Sequence, residues 1–328
     1  MLPTVTTATA DQEKRRALWP LGHPWQERPD ATEPDGPDPY GNPDPEPEWM
    51  QIDWQQHLRS IELSHSTKVN YVEMGEGPPV LLVHGLGGAW QNWLENIPVL
   101  ARNHRVIALD LPGFGDSPMP KWTINIRNYG SMVLDFIAAL ETGPVPVVGN
   151  SMGGFVAAEM SIRDEPAVTK VVLVSSAGVS HARMYKAPTA TAARMATGMA
   201  PLMFRYHHHA LNRPRLRKLV LSQLFRDPAA LRPELLQEFI RTGVNPPGFG
   251  DALTGLAGYD IHHRLTEVND PVLIIWGRQD MIVPSADALE FSEMLQNSRL
   301  EIFNYCGHIP MAERPVRFNR LVEAFLAE

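Results

Sequence analysis

The sequence predicts an α/β protein, a mostly parallel central sheet flanked by helices. Three observations carry that expectation. From about residue 58 onward, short apolar runs of strand length alternate with longer helical stretches, the pattern of a sheet whose crossovers are helices. A serine between glycines, Gly149-Asn150-Ser151-Met152-Gly153, sits where one such run turns into a helical stretch. An acid and a histidine, Asp280 and His308, each fall in a loop just beyond a later run, at the sheet edge where open α/β folds place their sites.

Taken in order, Ile61-Glu62-Leu63-Ser64 and Lys68-Val69-Asn70-Tyr71-Val72-Glu73 alternate like the two arms of a hairpin. Val80-Leu81-Leu82-Val83 and Arg105-Val106-Ile107-Ala108-Leu109 read as buried strands, and Tyr129 to Leu140 as a helix. Gly143-Pro144-Val145-Pro146-Val147-Val148 leads into the serine turn, and Val171-Val172-Leu173-Val174 follows the next helix. The alternation then stops, because residues 178–263 are helical without strand runs. It resumes with Pro271-Val272-Leu273-Ile274-Ile275-Trp276-Gly277 and Leu300-Glu301-Ile302-Phe303 before a C-terminal helix. The organisation expected is therefore a core over 57–177 and 264–328, interrupted by a helical insertion at 178–263.

Residues 1–56 differ from the rest. Between Leu18 and Trp49, Pro, Asp, Glu and Gly dominate, a composition that buries too little apolar surface to offset ordering, so an extended or disordered arm is expected. Trp19, Trp25, Trp49 and Trp54 are costly to leave in water and fit anchors of a partly docked arm equally well. Docking on the chain's own body, docking on a neighbouring subunit and a solvated tail all remain open readings.

The serine motif needs those residue types at that spacing because a sharp strand-to-helix turn leaves no room for neighbouring side chains. A serine is a weak nucleophile until a base takes its proton, so a histidine and an orienting acid should follow. Ser151, Asp280 and His308 supply that order. Asp110, Asp116 and Asp260 are rival acids, but only Asp280 follows the strand before the one that leads into His308. His84 ends a strand and reads as a structural residue rather than a base. His207-His208-His209 points in several directions along a helix with no Cys or carboxylate to complete a ligand set, so no metal is expected.

With these residues in hand, residues 58–328 resemble the α/β-hydrolase superfamily. Besides the serine turn, the resemblance rests on His84-Gly85-Leu86-Gly87-Gly88 and Asp110-Leu111-Pro112-Gly113-Phe114-Gly115-Asp116-Ser117, each following a strand. It implies a Ser151, His308, Asp280 triad, an oxyanion hole built from the backbone N–H groups of Leu86 and Met152, no cofactor, and a cap, or lid, over 178–263. The segment from Cys306-Gly307-His308 through Met311-Ala312-Glu313-Arg314-Pro315 looks like esterases and monoacylglycerol lipases, implying a carboxylic ester substrate with a medium-length or lipid-like acyl group. The carbon–carbon hydrolases of aromatic-ring degradation are the close rival. Gly-Asn-Ser-Met-Gly-Gly and Trp276-Gly277-Arg278 resemble theirs, whereas Ile309 stands where they usually carry tryptophan and the 84–88 loop lacks their usual proline. A ligand-binding, receptor-like role is the third reading. Aspartate-elbow epoxide hydrolases and dehalogenases are set aside by Ser151.

Composition bounds the rest. A length of 328 residues with 44% hydrophobic residues suits one catalytic domain carrying an insertion. The single cysteine, Cys306, excludes an internal disulfide and reads as a buried structural thiol. No signal-like start and no apolar run of about eighteen residues is present, so a cytoplasmic location is expected. The net charge of −8 offers nothing to nucleic acid. Against that charge the insertion is locally basic: Arg183, Lys186, Arg194, Arg205, Arg213, Arg215, Arg217, Lys218 and Arg226 occur with no acid between Glu165 and Asp227. Met195, Met199, Met203, Leu219 and Phe225 are interleaved with them, which fits either peripheral contact with an anionic membrane or simple packing of the insertion on the core.

Overall fold

A computed structural model describes Thr32–Glu33 and residues 36–64, 67–163, 166–180, 213–243 and 246–328. Eight strands form one sheet: β1 Leu58–Leu63, β2 Thr67–Met74, β3 Pro79–Val83, β4 Arg105–Leu109, β5 Val145–Asn150, β6 Val168–Val174, β7 Val272–Gly277 and β8 Ser298–Phe303. Their spatial order is β8-β7-β6-β5-β3-β4-β2-β1. β1 and β2 form the expected antiparallel hairpin, and β2 joins β4 antiparallel; every other pair is parallel.

The central strands are apolar at successive positions because both faces of the sheet are covered. Leu81, Val83, Ile107, Val147, Leu173, Ile274 and Trp276 face one side, against Phe136 of α2 (Ile126–Ala139) and Phe155 of α3 (Met152–Ile162). Val80, Leu82, Ala108, Val148, Val172, Leu273 and Ile275 face the other, against Trp93 and Phe318. α2 begins where Asn125 accepts the Asn128 N–H in its side chain at 2.9 Å, three residues before the start read from periodicity. The strand order reverses at β3, which lies between β4 and β5, so the loops after β3 and β5 open side by side. That is the switch point at which open sheets hold their ligands.

The insertion between β6 and β7 contains α4 Pro214–Leu221, α5 Pro233–Gly243 and α6 Phe249–Leu256, with no strand among its described residues. Leu221, Phe225, Leu236 and Ile240 pack into the second core layer. Arg217, one of the cations of the basic stretch, is buried and donates to the Leu231 carbonyl at 3.1 Å. Leu219 is 75% exposed. Arg183, Lys186, Arg194, Arg205, the three Met residues at 195, 199 and 203, and His207 to His209 lie outside the described residues. Among the described residues no helix is long and apolar enough to cross a membrane.

The described part of the arm takes one of the readings left open. From Asp38 to His57 it is extended, with single turns at Glu48–Met50 and Trp54–Gln56, and it docks on the body, which overturns the solvated-tail reading for this stretch. Trp49 is buried, and Trp54 packs beside Trp90 with ring centroids 4.9 Å apart. Asp38 forms a two-point ion pair with Arg314, both side chains fully buried, with Arg314 Nε donating to Oδ1 at 2.9 Å. Composition left the docking undecided because it counts apolar residues and does not see an ion pair with a residue 276 positions away. Trp19 and Trp25 lie outside the described residues. Asp38→Ala strands Arg314 as an uncompensated buried charge and should lower unfolding free energy by about 3 to 5 kcal/mol, read by urea denaturation.

Candidate active site

The serine sits at the turn between β5 and α3 with φ 53° and ψ −113°, a left-handed conformation that a residue with a Cβ adopts only under constraint. The constraint is visible. Ser151 N–H donates to Val174 at 2.9 Å, and the Ser151 carbonyl accepts from Phe155 and Ala177 at 3.1 and 3.0 Å. The flanking glycines are required for space. A Cβ on Gly153 would run into the Val83 and His84 carbonyls, one on Gly149 into the Gly153 carbonyl, and one on Gly154 into Ser176. Only 9% of Ser151 is exposed.

Asp280 and His308, 28 residues apart in sequence, meet in space: His308 Nδ1 lies 2.8 Å from Asp280 Oδ2. Asp280 Oδ1 accepts the N–H groups of Ile282 and Val283 at 2.8 and 2.9 Å, so the carboxylate is pinned by its own loop. Nδ1 facing an acceptor is the donor, which assigns the neutral ring's lone pair to Nε2. The loops after β7 and β8 are laced together, since Gln279 N–H donates to the Cys306 carbonyl and Cys306 N–H to Gln279 Oε1, both at 2.9 Å. His308 is tied to the serine strand as well, because Asn150 Nδ2 donates to the His308 carbonyl at 3.4 Å and to the Val174 carbonyl at 3.1 Å.

Two of the rival acids, Asp110 and Asp260, are occupied elsewhere. Asp110 accepts the Trp90 and Asp116 N–H groups at 2.8 and 2.9 Å, and burial pushes its carboxyl up to about 7. Asp260 accepts the His262 N–H at 2.9 Å in an exposed turn.

The 84–88 loop lies against the serine: a Cβ on Gly85 would stand 3.1 Å from Ser151 Cβ. Leu86, next along, is half-buried, and Met152 opens α3, where a helix leaves its first N–H groups without an internal partner. Phe249 of α6 covers this loop, 3.3 Å from where a Gly87 Cβ would be. His84 holds the loop from beneath. Its Nδ1 faces the Gly85 carbonyl at 2.7 Å and its Nε2 accepts the Leu111 N–H at 2.9 Å, which makes Nδ1 the protonated nitrogen.

Burial lowers the His84 pKa to about 4, so the ring stays neutral in the folded protein. An unfolded histidine binds its proton below about 6.5, and the folded one does not until about 4. The stability supplied by neutral His84 is therefore complete above about 6.5 and lost as the pH falls through that window. The stability advantage of wild type over His84→Gln should shrink by up to about 3 kcal/mol between pH 7 and pH 4, read by urea denaturation.

One residue of the site carried no role in the sequence reading. Glu313, fully buried, accepts the Gly307 and Ile309 N–H groups on Oε1 at 2.9 and 3.3 Å, and Tyr40 O–H and Arg226 N–H on Oε2 at 2.8 and 2.7 Å. Burial raises its carboxyl to about 7 against the pull of those donors. Its spacing of five from His308 is the one sequence signal that could have marked it. Cys306 is buried, and burial raises its thiol well above the ordinary range, which fits an inert structural thiol. Among the described residues no group of three or more His, Cys, Asp or Glu could hold a metal.

Comparison with known proteins agrees with this architecture. A family model described as alpha/beta hydrolase fold matches residues 78–315. The chain is 32% identical over 267 residues to a 2-hydroxymuconate semialdehyde hydrolase of Pseudomonas sp. strain CF600, covering 80% of this chain and 91% of that protein. A solved meta-cleavage product hydrolase from Pseudomonas fluorescens IP01 superposes with a TM-score of 0.65 at 26% identity, over 82% of this chain and 97% of that one. A membrane phospholipase A superposes with a TM-score of 0.66 at 27% identity, over 82% and 85%. A strand order that reverses at β3, a serine held at a left-handed turn after β5 and a profile match over most of the core agree: the chain belongs to the α/β-hydrolase family.

Proposed function

We propose that the protein is a serine hydrolase in which Ser151 is the nucleophile, His308 its general base and acid, and Asp280 the residue that fixes the imidazole tautomer. The observation that carries this is the 2.8 Å contact of His308 Nδ1 with a carboxylate whose other oxygen is already saturated by two backbone N–H groups. Nε2 is thereby left to take the Ser151 proton as Oγ attacks a carbonyl carbon. Leu86 and Met152 N–H groups are the proposed donors to the oxyanion, each worth about 3 to 4 kcal/mol of barrier in such sites. Collapse of the adduct expels the leaving group with a proton from His308, and water clears the acyl-enzyme by the reverse route.

For the bond cleaved, we favour a carbon–carbon bond beside an aldehyde or ketone carbonyl conjugated to a 2-hydroxydienoate. The support is similarity to a semialdehyde hydrolase of that chemistry over nine tenths of its length, with the same class recurring among the solved structures. In that reaction the 2-hydroxyl proton first moves to the chain carbon beside the reacting carbonyl. When Ser151 Oγ has added there and the bond breaks, its electron pair passes into the 2-keto acid so formed, which leaves as a 2-hydroxydienoate protonated on oxygen, and the carbonyl carbon becomes the acyl group on Ser151. The carboxylic ester expected from the sequence is retained as a second reading, because Ile309 follows the histidine and the 84–88 loop lacks proline. In either case the insertion at 178–263 is proposed as the cap over the acyl site, with Phe249 against the 84–88 loop as one of its points of contact.

The test is a direct competition. Values of kcat/KM are measured for 2-hydroxymuconate semialdehyde and 2-hydroxy-6-oxohepta-2,4-dienoate beside p-nitrophenyl esters of increasing acyl length. Preference for a dienoate is expected. Preference for an ester, with a chain-length optimum, would transfer the assignment to ester hydrolysis.

A further inference from the structure

We propose that the docked arm is a working part of the active site, with Tyr40 a positioning residue for His308 that acts through Glu313. The proposal rests on His308 being the base. Its substance is one buried carboxylate gripped by three separate segments. Oε1 of Glu313 holds the N–H groups immediately before and after His308, those of Gly307 and Ile309. Oε2 is held by the Tyr40 hydroxyl from the arm and the Arg226 N–H from the insertion. Four donors occupy the four lone-pair directions a carboxylate offers, so the side chain has one orientation in which all are satisfied.

The arm end of this arrangement is itself fixed. Tyr40 Oη accepts the Asp227 N–H at 2.8 Å while donating to Glu313, and the ring meets Tyr305 edge to face at 5.5 Å. Gly41 N–H donates to the Glu313 carbonyl at 2.7 Å, and two residues before Tyr40 stands the Asp38 to Arg314 pair. His308 N–H donates to the Leu224 carbonyl at 2.8 Å, so the insertion holds the same loop from a second direction. Removing the Tyr40 hydroxyl leaves Oε2 with a single donor in a site without solvent, which frees the carboxylate to rotate and loosens the N–H clamp on both sides of His308. Small displacements of a base relative to its nucleophile cost rate rather than substrate affinity.

The bland alternative is that Tyr40 only anchors the arm. Arg232 separates the two, because it donates to the Pro45 and Asp44 carbonyls and so anchors the arm without touching Glu313. The experiment follows labelling of Ser151 by a fluorophosphonate in the full-length wild type, Tyr40→Phe, Arg232→Ala and Glu313→Asp. The limiting labelling rate of Tyr40→Phe should fall about tenfold with reagent affinity within about twofold, and Glu313→Asp should fall at least as far. Arg232→Ala should label like wild type. Wild-type labelling by Tyr40→Phe would overturn the proposal, whatever Glu313→Asp does, as would equal losses in Tyr40→Phe and Arg232→Ala. A wild type that does not label at Ser151 would remove the nucleophile assignment itself, and this proposal with it.

Discussion

Ser151→Ala is expected to lower kcat by roughly 10⁵ to 10⁶, the loss seen when a serine nucleophile is removed from an intact triad. The fold should survive, because the strained turn is made by the backbone and alanine keeps the Cβ that the left-handed position already accommodates. The bonds from Ser151 N–H to Val174 and from Phe155 and Ala177 to its carbonyl are untouched. Single-turnover assays together with a thermal melt check both halves: loss of turnover with an unchanged melting temperature. Retained activity would sink the nucleophile assignment. A wild type no faster than the variant would point to the receptor-like reading, in which the fold binds without turnover.

Asp280→Asn should cost about 10⁴ in kcat while leaving the loop in place. Oδ1 accepts two backbone N–H groups, a task the asparagine carbonyl keeps, so its NH2 is forced to face His308 Nδ1. Nδ1 then becomes the acceptor and Nε2 carries the proton, leaving nothing to accept from Ser151. KM should move little, since Asp280 is buried beneath the histidine. An Asp280→Asn enzyme within about tenfold of wild type would mean that the carboxylate does not govern the tautomer.

Much of the site was legible because its parts carry local signatures. Gly149, Gly153 and Gly154 reveal the turn, since each lies where a Cβ would strike backbone or a neighbouring side chain, a demand that restricts residue type in the sequence itself. Asp280 and His308 were singled out as candidates by their places after the last two strands, and β7 and β8 are parallel neighbours that bring those loops together. His84 read correctly as structural, and the fold shows why: both ring nitrogens are committed to backbone. The choice of bond to be cleaved was not legible in the same way. Sequence cues at Ile309 and at Gly149 to Gly154 point in opposite directions, and similarity over the whole chain weights the second.

What the sequence determined by itself is the layered sheet, the serine turn and the order of its partners. These follow from apolar periodicity and from residues whose size or backbone freedom is constrained within a few positions of themselves. What only the tertiary structure decided is the docking of the arm, the burial of Arg217 and the convergence of Tyr40, Arg226 and the His308 loop on Glu313. The arm and the insertion reach Glu313 through polar groups 273 and 87 positions away from it that satisfy one another away from water. No local pattern encodes such a pairing, because each partner taken alone reads as a residue that belongs in solvent.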